Sequence, residues 1–198
     1  SRGLGDVYKR QVMYGNSIEW VSKQNGGLIT RFEKKKVFNR DGEKIKGDFI
    51  HIIPEQKAGK IIFDSKLCNN DWCTINPQTF QLLNFKDIYA VGDSVDAGDM
   101  PKSAFSAESQ AKILSLNLIN RILQKSYLNP VFLNTCYSFS SNDRAFSITS
   151  WYKLNTMKDR IVSLGSSQSS DDGLNDERIR ESKEAFGWYE SITKTLYG

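Results

Sequence analysis

The run Ile88-Tyr89-Ala90-Val91 ahead of Gly92-Asp93 constrains this chain more than any other stretch. Four apolar residues ending at Gly-Asp read as a buried strand that stops at a tight turn and presents one carboxylate. A continuous apolar run fits a parallel strand covered on both faces. In open α/β sheets, ligands lie at the carboxyl ends of the strands. Shortly afterwards Ala104, Ala107, Ala111, Leu114, Leu118 and Leu123 recur at close to helical spacing. The expectation is therefore α/β. The 88–93 strand should lie in a parallel sheet, with Asp93 at its carboxyl end facing an open groove. The 103–124 helix should begin beside that groove, where backbone N–H groups and the helix dipole favour negative charge. A plain strand-turn with a capping Asp fits the same pattern.

Around this unit the chain alternates between β-like and helical stretches. Residues 17–53 read as β-rich, with segments at Ser17–Val21, Leu28–Phe32, Lys36–Phe38 and Asp48–Ile53. Gly26-Gly27 reads as a hairpin turn, and Asn39-Arg40-Asp41-Gly42 as a second turn. Lys34-Lys35-Lys36 reads as a solvated strand edge that resists aggregation. His51, the sole histidine, lies in an apolar stretch and reads as a core position. After Pro54 the chain reads as irregular to residue 80, with a helical turn near Gly59–Phe63. Residues 131–154 alternate like strands. Ser163–Asn175 reads as a mobile Ser/Asp-rich loop. Asp176–Tyr197 reads as an amphipathic helix with Ile179, Phe186, Tyr189, Ile192 and Leu196 as its apolar stripe.

Hydrophobic residues at 39% and aromatics at 12% suffice for a core in a chain of 198 residues. No apolar run approaches the roughly 20 residues that span a bilayer. Ser1–Gln11 fits nothing downstream and reads as a non-native leader. Its Arg2, Lys9 and Arg10 against Asp6 supply half of the net charge of +4, too little to argue for nucleic acid as a partner. The three cysteines are an odd count. Cys68 and Cys73 form a Cys-x4-Cys pair in a turn-like stretch and read as structural, with a disulfide between them left open. Two thiols and one histidine do not complete a usual four-ligand zinc site. Cys136 sits in a strand-like segment between Thr135 and Tyr137.

The segment Gly92-Asp93-Ser94-Val95-Asp96-Ala97-Gly98-Asp99-Met100-Pro101-Lys102-Ser103-Ala104-Phe105-Ser106-Ala107-Glu108-Ser109-Gln110-Ala111-Lys112 resembles the last flavin-contacting segment of the flavoprotein subunit of flavocytochrome c sulfide dehydrogenase. Asn134-Thr135-Cys136-Tyr137-Ser138 resembles another segment of that subunit, and 53–61, Asp71-Trp72-Cys73 and the ending from Gly187-Trp188-Tyr189 to Leu196-Tyr197-Gly198 match it in order. The likeness runs over residues 13–198 and to the C-terminal half of such a subunit. It implies the end part of a glutathione-reductase-like flavoprotein with two dinucleotide-binding domains, followed by an α+β C-terminal interface domain. The implied division is 12–53 for the end of the second nucleotide-binding-like domain, 54–127 for the C-terminal part of the FAD-binding domain, and 128–198 for the interface domain. The Gly-x-Gly-x-x-Gly loop that receives the FAD pyrophosphate in such proteins does not occur in this sequence, so the chain reads as a fragment.

The resemblance also implies roles. FAD is the expected cofactor, sulfide the substrate, a c-type cytochrome subunit the partner, and the bacterial periplasm the location. Cys136 is the expected catalytic residue, one half of a redox disulfide against the flavin. Gly92 and Asp93 fall at the ribityl side. Pro101 and Lys102 fall near the pyrimidine edge, where positive charge favours anionic reduced flavin. Thr135 is a further cofactor contact, and Trp188 reaches back toward the ring. Phe105 stands where the family tends to carry an aromatic near the electron exit. A sulfide:quinone-type oxidoreductase remains the enzymatic alternative, although the charged stretch Asp176–Lys183 argues against a membrane-facing C-terminus. A non-catalytic binding or dimerisation module is the other alternative.

Overall fold

The computed structural model describes residues 14, 15, 17–170 and 175–198, so the leader assigned to residues 1–11 lies outside the described residues. The fold mixes helices with two three-stranded sheets, both antiparallel. The chain divides into two compact units, residues 1–55 and 56–198.

In the first unit, β1 (Ile29–Glu33), β2 (Lys36–Asn39) and β3 (Lys44–Lys46) form a meander in the order β1-β2-β3. The Asn39–Gly42 turn forms as expected. The Asn39 side-chain oxygen accepts from the Asp41 and Glu43 backbone N–H groups, which closes the chain into β3. Lys34 and Lys35 form the β1–β2 turn, Lys34 at φ 44°, and are not a strand edge. The segments at Ser17–Val21 and Asp48–Ile53 are not strands, and His51 is exposed outside any strand. A β-like composition makes a strand only where a neighbour pairs with it, and these segments have no ladder partner.

The second unit opens with α1 (Lys60–Asp64), at the expected helical turn. Its core gathers Cys73, Ile75, Phe80, Leu82, Val95, Ala97 and Met100 with Phe132, Tyr152, Leu154 and Ile161 from the second sheet. Phe80 and Phe132 meet edge to face, centroids 5.8 Å apart. The 88–93 run is not a strand of a parallel sheet. Tyr89 makes one antiparallel bridge to Gln81, and the chain enters a 3-10 turn at Gly92–Ser94. One face of the run stays open: Ile88 is exposed and Tyr89 to Val91 are half-buried. An apolar run becomes a central strand only when flanking strands exist to receive it.

Gly92 sits at φ 74° and packs on Ala107, where an added Cβ would come within 3.1 Å. Gly98, at φ 63°, lies so close to the Ile161 carbonyl that a Cβ would approach its oxygen to 2.3 Å. Beyond it, Asp99 accepts from the Ser163 backbone N–H and pairs with Arg160. The 92–103 segment is thereby fastened to the start of the last strand.

Next come α2 (Ala104–Ile122), β4 (Val131–Ser141), β5 (Arg144–Leu154), β6 (Ile161–Gln168) and α3 (Asn175–Tyr197). The β4-β5-β6 meander holds a long register from Val131 opposite Lys153 to Ser141 opposite Arg144. The strand β6 occupies much of the stretch read as a loop from Ser163 to Asn175, because Ile148–Leu154 supplies a free edge that it joins. Residues 171–174 of that reading lie outside the described residues.

The two long helices form where the spacing predicts, but they turn different faces inward. In α2 the buried residues are Ser106, Gln110 and Asn117. Each is paired: Ser106 donates to Asn134, the Gln110 carbonyl accepts from Gly92 N–H at 2.7 Å, and Asn117 bridges Gln78 and Leu128. In α3 the buried residues are Glu181, Ser182 and Ala185, while Phe186, Tyr189 and Leu196 of the anticipated stripe are exposed. Glu181 accepts from the Ser147 and Ser169 hydroxyls and pairs with Arg178, which ties α3 to the second sheet. Polar side chains go inward here because each finds partners, which offsets the loss of water. Glu181→Ala removes the acceptor of Ser147 Oγ and leaves Ser169 and Arg178 with only the Ser147 and Ser170 carbonyls. It should lower unfolding free energy by about 3–5 kcal/mol, read as a reduced denaturation midpoint with unchanged denaturant dependence.

Candidate functional site

The unabsorbed apolar faces of α2 and α3 have a consequence: they wall an open groove of about 530 Å³. Ser103, Ala104 and Phe105 form its α2 side, Thr135, Cys136, Tyr137 and Phe139 its β4 side, and Ala185, Phe186, Trp188 and Tyr189 its α3 side. That volume is in the range of small-molecule sites, roughly 300–1,000 Å³. A second, more apolar hollow of about 750 Å³ runs along the two helices past Ala107, Ala111, Leu116, Ile192 and Leu196.

Cys136 shares its face of β4 with Phe132 and Asn134. Those two are buried, and Cys136, farther along the strand, is exposed at the groove. Asn134 controls the junction. Its oxygen accepts from Ser103 Oγ at 2.5 Å and Ser106 Oγ at 3.2 Å, and its Nδ2 donates to Cys136 Sγ at 3.4 Å. Ser103 is also the N-cap of α2, accepting from the Ser106 backbone N–H. One amide thus joins the helix start, the strand and the thiol. The Thr135 hydroxyl pairs with Thr149 across the ladder at 3.0 Å.

The walls are aromatic. Phe105 and Trp188 stack with centroids 5.4 Å apart and an interplanar angle of 16°. Phe139 and Phe186 lie 5.3 Å apart. Burial, and then the Glu184 and Glu181 carboxylates, push the Tyr137 phenol above its ordinary range. The phenol therefore keeps its proton at neutral pH and can donate. The Trp188 indole N–H is buried and has no acceptor among the described residues. An unpaired buried donor costs about 1–3 kcal/mol, and a carbonyl oxygen on a bound group would remove that cost. Planar stacking walls beside a donor awaiting an acceptor fit a heteroaromatic ring with a carbonyl edge, such as a flavin.

The expected site residues do not all gather here. Cys136, Thr135 and Trp188 line the groove together with the start of α2. Gly92, Asp93, Pro101 and Lys102 do not line it. Asp93 is exposed in the 3-10 turn. Lys102 stands over the Trp72 ring at 3.7 Å and donates to the Val95 and Asp93 carbonyls at 2.6 and 3.1 Å, holding the turn in shape. Cys68 and Cys73 are not bonded to each other in the structure, and neither lines the groove. Sequence reasoning missed Asn134, Ser103 and Tyr137 as site residues. The signal was available for Ser103, which precedes a helical run as an N-cap. For Asn134 the partners lie 28 and 31 positions away, beyond any local pattern. Among the described residues no group of three or more His, Cys, Asp or Glu could hold a metal ion, and no helix is long and apolar enough to cross a membrane.

Residues 128–196 match a family model described as flavin-binding, which points to a flavoprotein oxidoreductase family. The family is flavocytochrome c sulphide dehydrogenase, flavin-binding. The match covers β4, β5, β6 and nearly all of α3, and so two of the three walls of the groove.

The shared amide predicts coupling between its partners. Asn134→Ala should cost about 1–3 kcal/mol by orphaning buried hydroxyls, and Ser103→Ala about 1 kcal/mol as a lost cap. In a double-mutant cycle by chemical denaturation the two losses should fall short of adding. Strict additivity would mean that Asn134 and Ser103 stabilise the fold independently.

Proposed function

We propose that this chain is the flavin-holding C-terminal part of an FAD-dependent oxidoreductase that oxidises sulfide in the periplasm and passes electrons to a c-type cytochrome. The single observation that carries the reading is the groove, in which an exposed thiol, Cys136, shares an aromatic pocket with a buried, unpaired indole N–H in a domain of a flavin-binding family. Bound there, the flavin would supply a two-electron acceptor.

The residues of the chain would do the rest. Phe105 and Trp188 offer flat apolar surface that excludes water from the ring. The Trp188 N–H and the Tyr137 hydroxyl offer donors to carbonyl oxygens. The positive end of α2, capped at Ser103, favours the negative charge that accumulates on reduction. Lys102 and the Gly92-Asp93 turn lie outside the groove lining, and Lys102 would act by keeping that turn in shape. Cys136 would act as half of a disulfide with a cysteine supplied from outside the groove lining described here. Hydrosulfide attacks one sulfur of that bond, leaving a persulfide on it and releasing the other as thiolate. The Asn134 Nδ2–H points at Cys136 Sγ and would stabilise negative charge there.

Two experiments test this. Titrated with FAD, FMN and riboflavin by fluorescence, the chain should bind all three weakly and alike, because no Gly-rich loop in its sequence favours the pyrophosphate. Tight, stoichiometric and FAD-selective binding would contradict that expectation. In the intact enzyme, Cys136→Ala should keep FAD bound but abolish reduction of its absorbance by sulfide. Unchanged reduction would remove Cys136 from the reaction.

A further inference from the structure

The Cys-x4-Cys pair lies outside the groove, with one thiol at the edge of the core and the other inside it. After α1 the chain turns at Lys66, φ 54°, and bends again through Asn69–Trp72. This brings Cys68 back against the core that contains Cys73. Burial raises the Cys73 thiol above its ordinary range, and the neighbouring Cys68 thiol raises it further. Cys68 Sγ also points to the Asn70 carbonyl at 3.1 Å, within its own bend. The two thiols differ in access. Cys68 is half-buried and lines a polar hollow of about 370 Å³ with Lys66, Asn69, Asn70 and Asn84. Cys73 is fully buried. One sulfur can therefore meet a small reagent, and the other can meet only its neighbour.

We propose that Cys68 and Cys73 are a reversible thiol–disulfide site that takes small disulfide oxidants, with Cys68 as the attacking and Cys73 as the resolving thiol. Cys68, as thiolate, attacks one sulfur of the oxidant, forms a mixed disulfide and expels one small thiolate. Cys73 loses its proton and attacks Cys68 Sγ, which closes the protein disulfide and expels the second small thiolate. The two cysteine protons end on the two released thiols. The protein dithiol gives up two electrons, and the oxidant disulfide takes them.

The pair also touches the 92–103 segment. The Cys73 backbone N–H donates to Ser94, its carbonyl accepts from Asp96, and Cys73 bridges Val95 in parallel. Trp72, between the two cysteines, carries the Lys102 ammonium on its ring. Closing the disulfide would stiffen the loop on which that cation rests, so the redox state of the pair bears on the turn at Gly92–Ser94.

The chain suits a direct test, because Lys66 and Lys86 bracket both cysteines in one tryptic peptide, Leu67–Lys86, while Cys136 lies in Ser126–Arg144. The folded chain is treated with oxidised glutathione, alkylated in denaturant, digested and weighed. The expected product is Leu67–Lys86 lighter by two hydrogens and unalkylated, with Cys136 in a separate peptide. A dithiol should reverse it. The oxidised form should melt at higher temperature than the reduced form. Cys136→Ser should retain the closed peptide. Cys68→Ser should lose it and leave Cys73 unmodified in the folded protein. Two alkylated cysteines in Leu67–Lys86 after oxidation, a glutathione that stays on Cys68, or a cross-link to Ser126–Arg144 would each overturn the proposal.

Discussion

The side chain of Asn134 is the point on which the groove depends. A buried amide must satisfy both its carbonyl and its NH2 group or destabilise the fold. Here the carbonyl takes two serine hydroxyls from the first turn of α2, and the NH2 group reaches Cys136. The arrangement fixes where the helix begins relative to the strand, and so how wide the space between them is. Hydrophobic contact alone tolerates sliding. Hydrogen bonds with distance and angle requirements do not.

The same logic recurs at the other junctions of the second unit. Glu181 anchors α3 to β5 through Ser147 and to the end of β6 through Ser169. Gln110 takes the Gly92 N–H, and Asp99 takes the Ser163 N–H and Arg160. These polar fasteners free the apolar faces of both helices from duty in the core. Phe186, Tyr189, Leu196, Leu116 and Ile119 consequently remain exposed. A face of this kind is where a planar apolar ligand gains most from leaving water.

Much of this was legible in the chain, unevenly. The α2 and α3 spans followed from periodicity, and the Asn39–Gly42 turn followed from side-chain chemistry. The word Asn-Thr-Cys-Tyr-Ser pointed to the strand that carries the exposed thiol. The failures share one cause. Periodicity reports which residues are apolar, and the usual inference is that the apolar stripe faces the core. In α2 and α3 the core face is partly polar, because partners 11 to 39 positions away satisfy it. Local sequence carries no trace of such pairs. The 88–93 run failed for a related reason: whether an apolar segment is a central strand is a property of its neighbours.

The helix α2 is pinned near both ends, by Ser103 and Ser106 to Asn134 and by Asn117 to Gln78 and Leu128. Between those pins it behaves as a ruler with a fixed number of graduations. One residue added or removed between Ser106 and Asn117 rotates one pin about 100° away from the other and shifts it about 1.5 Å along the axis. No rigid adjustment satisfies both. Beyond Asn117, where Ile119, Ile122 and Leu123 are exposed, the same change disturbs only surface contacts, Arg121 with Asp87 and Tyr89 and Asn120 with the Ser126 carbonyl. An added or deleted residue in this helix should therefore cost least at its outer end.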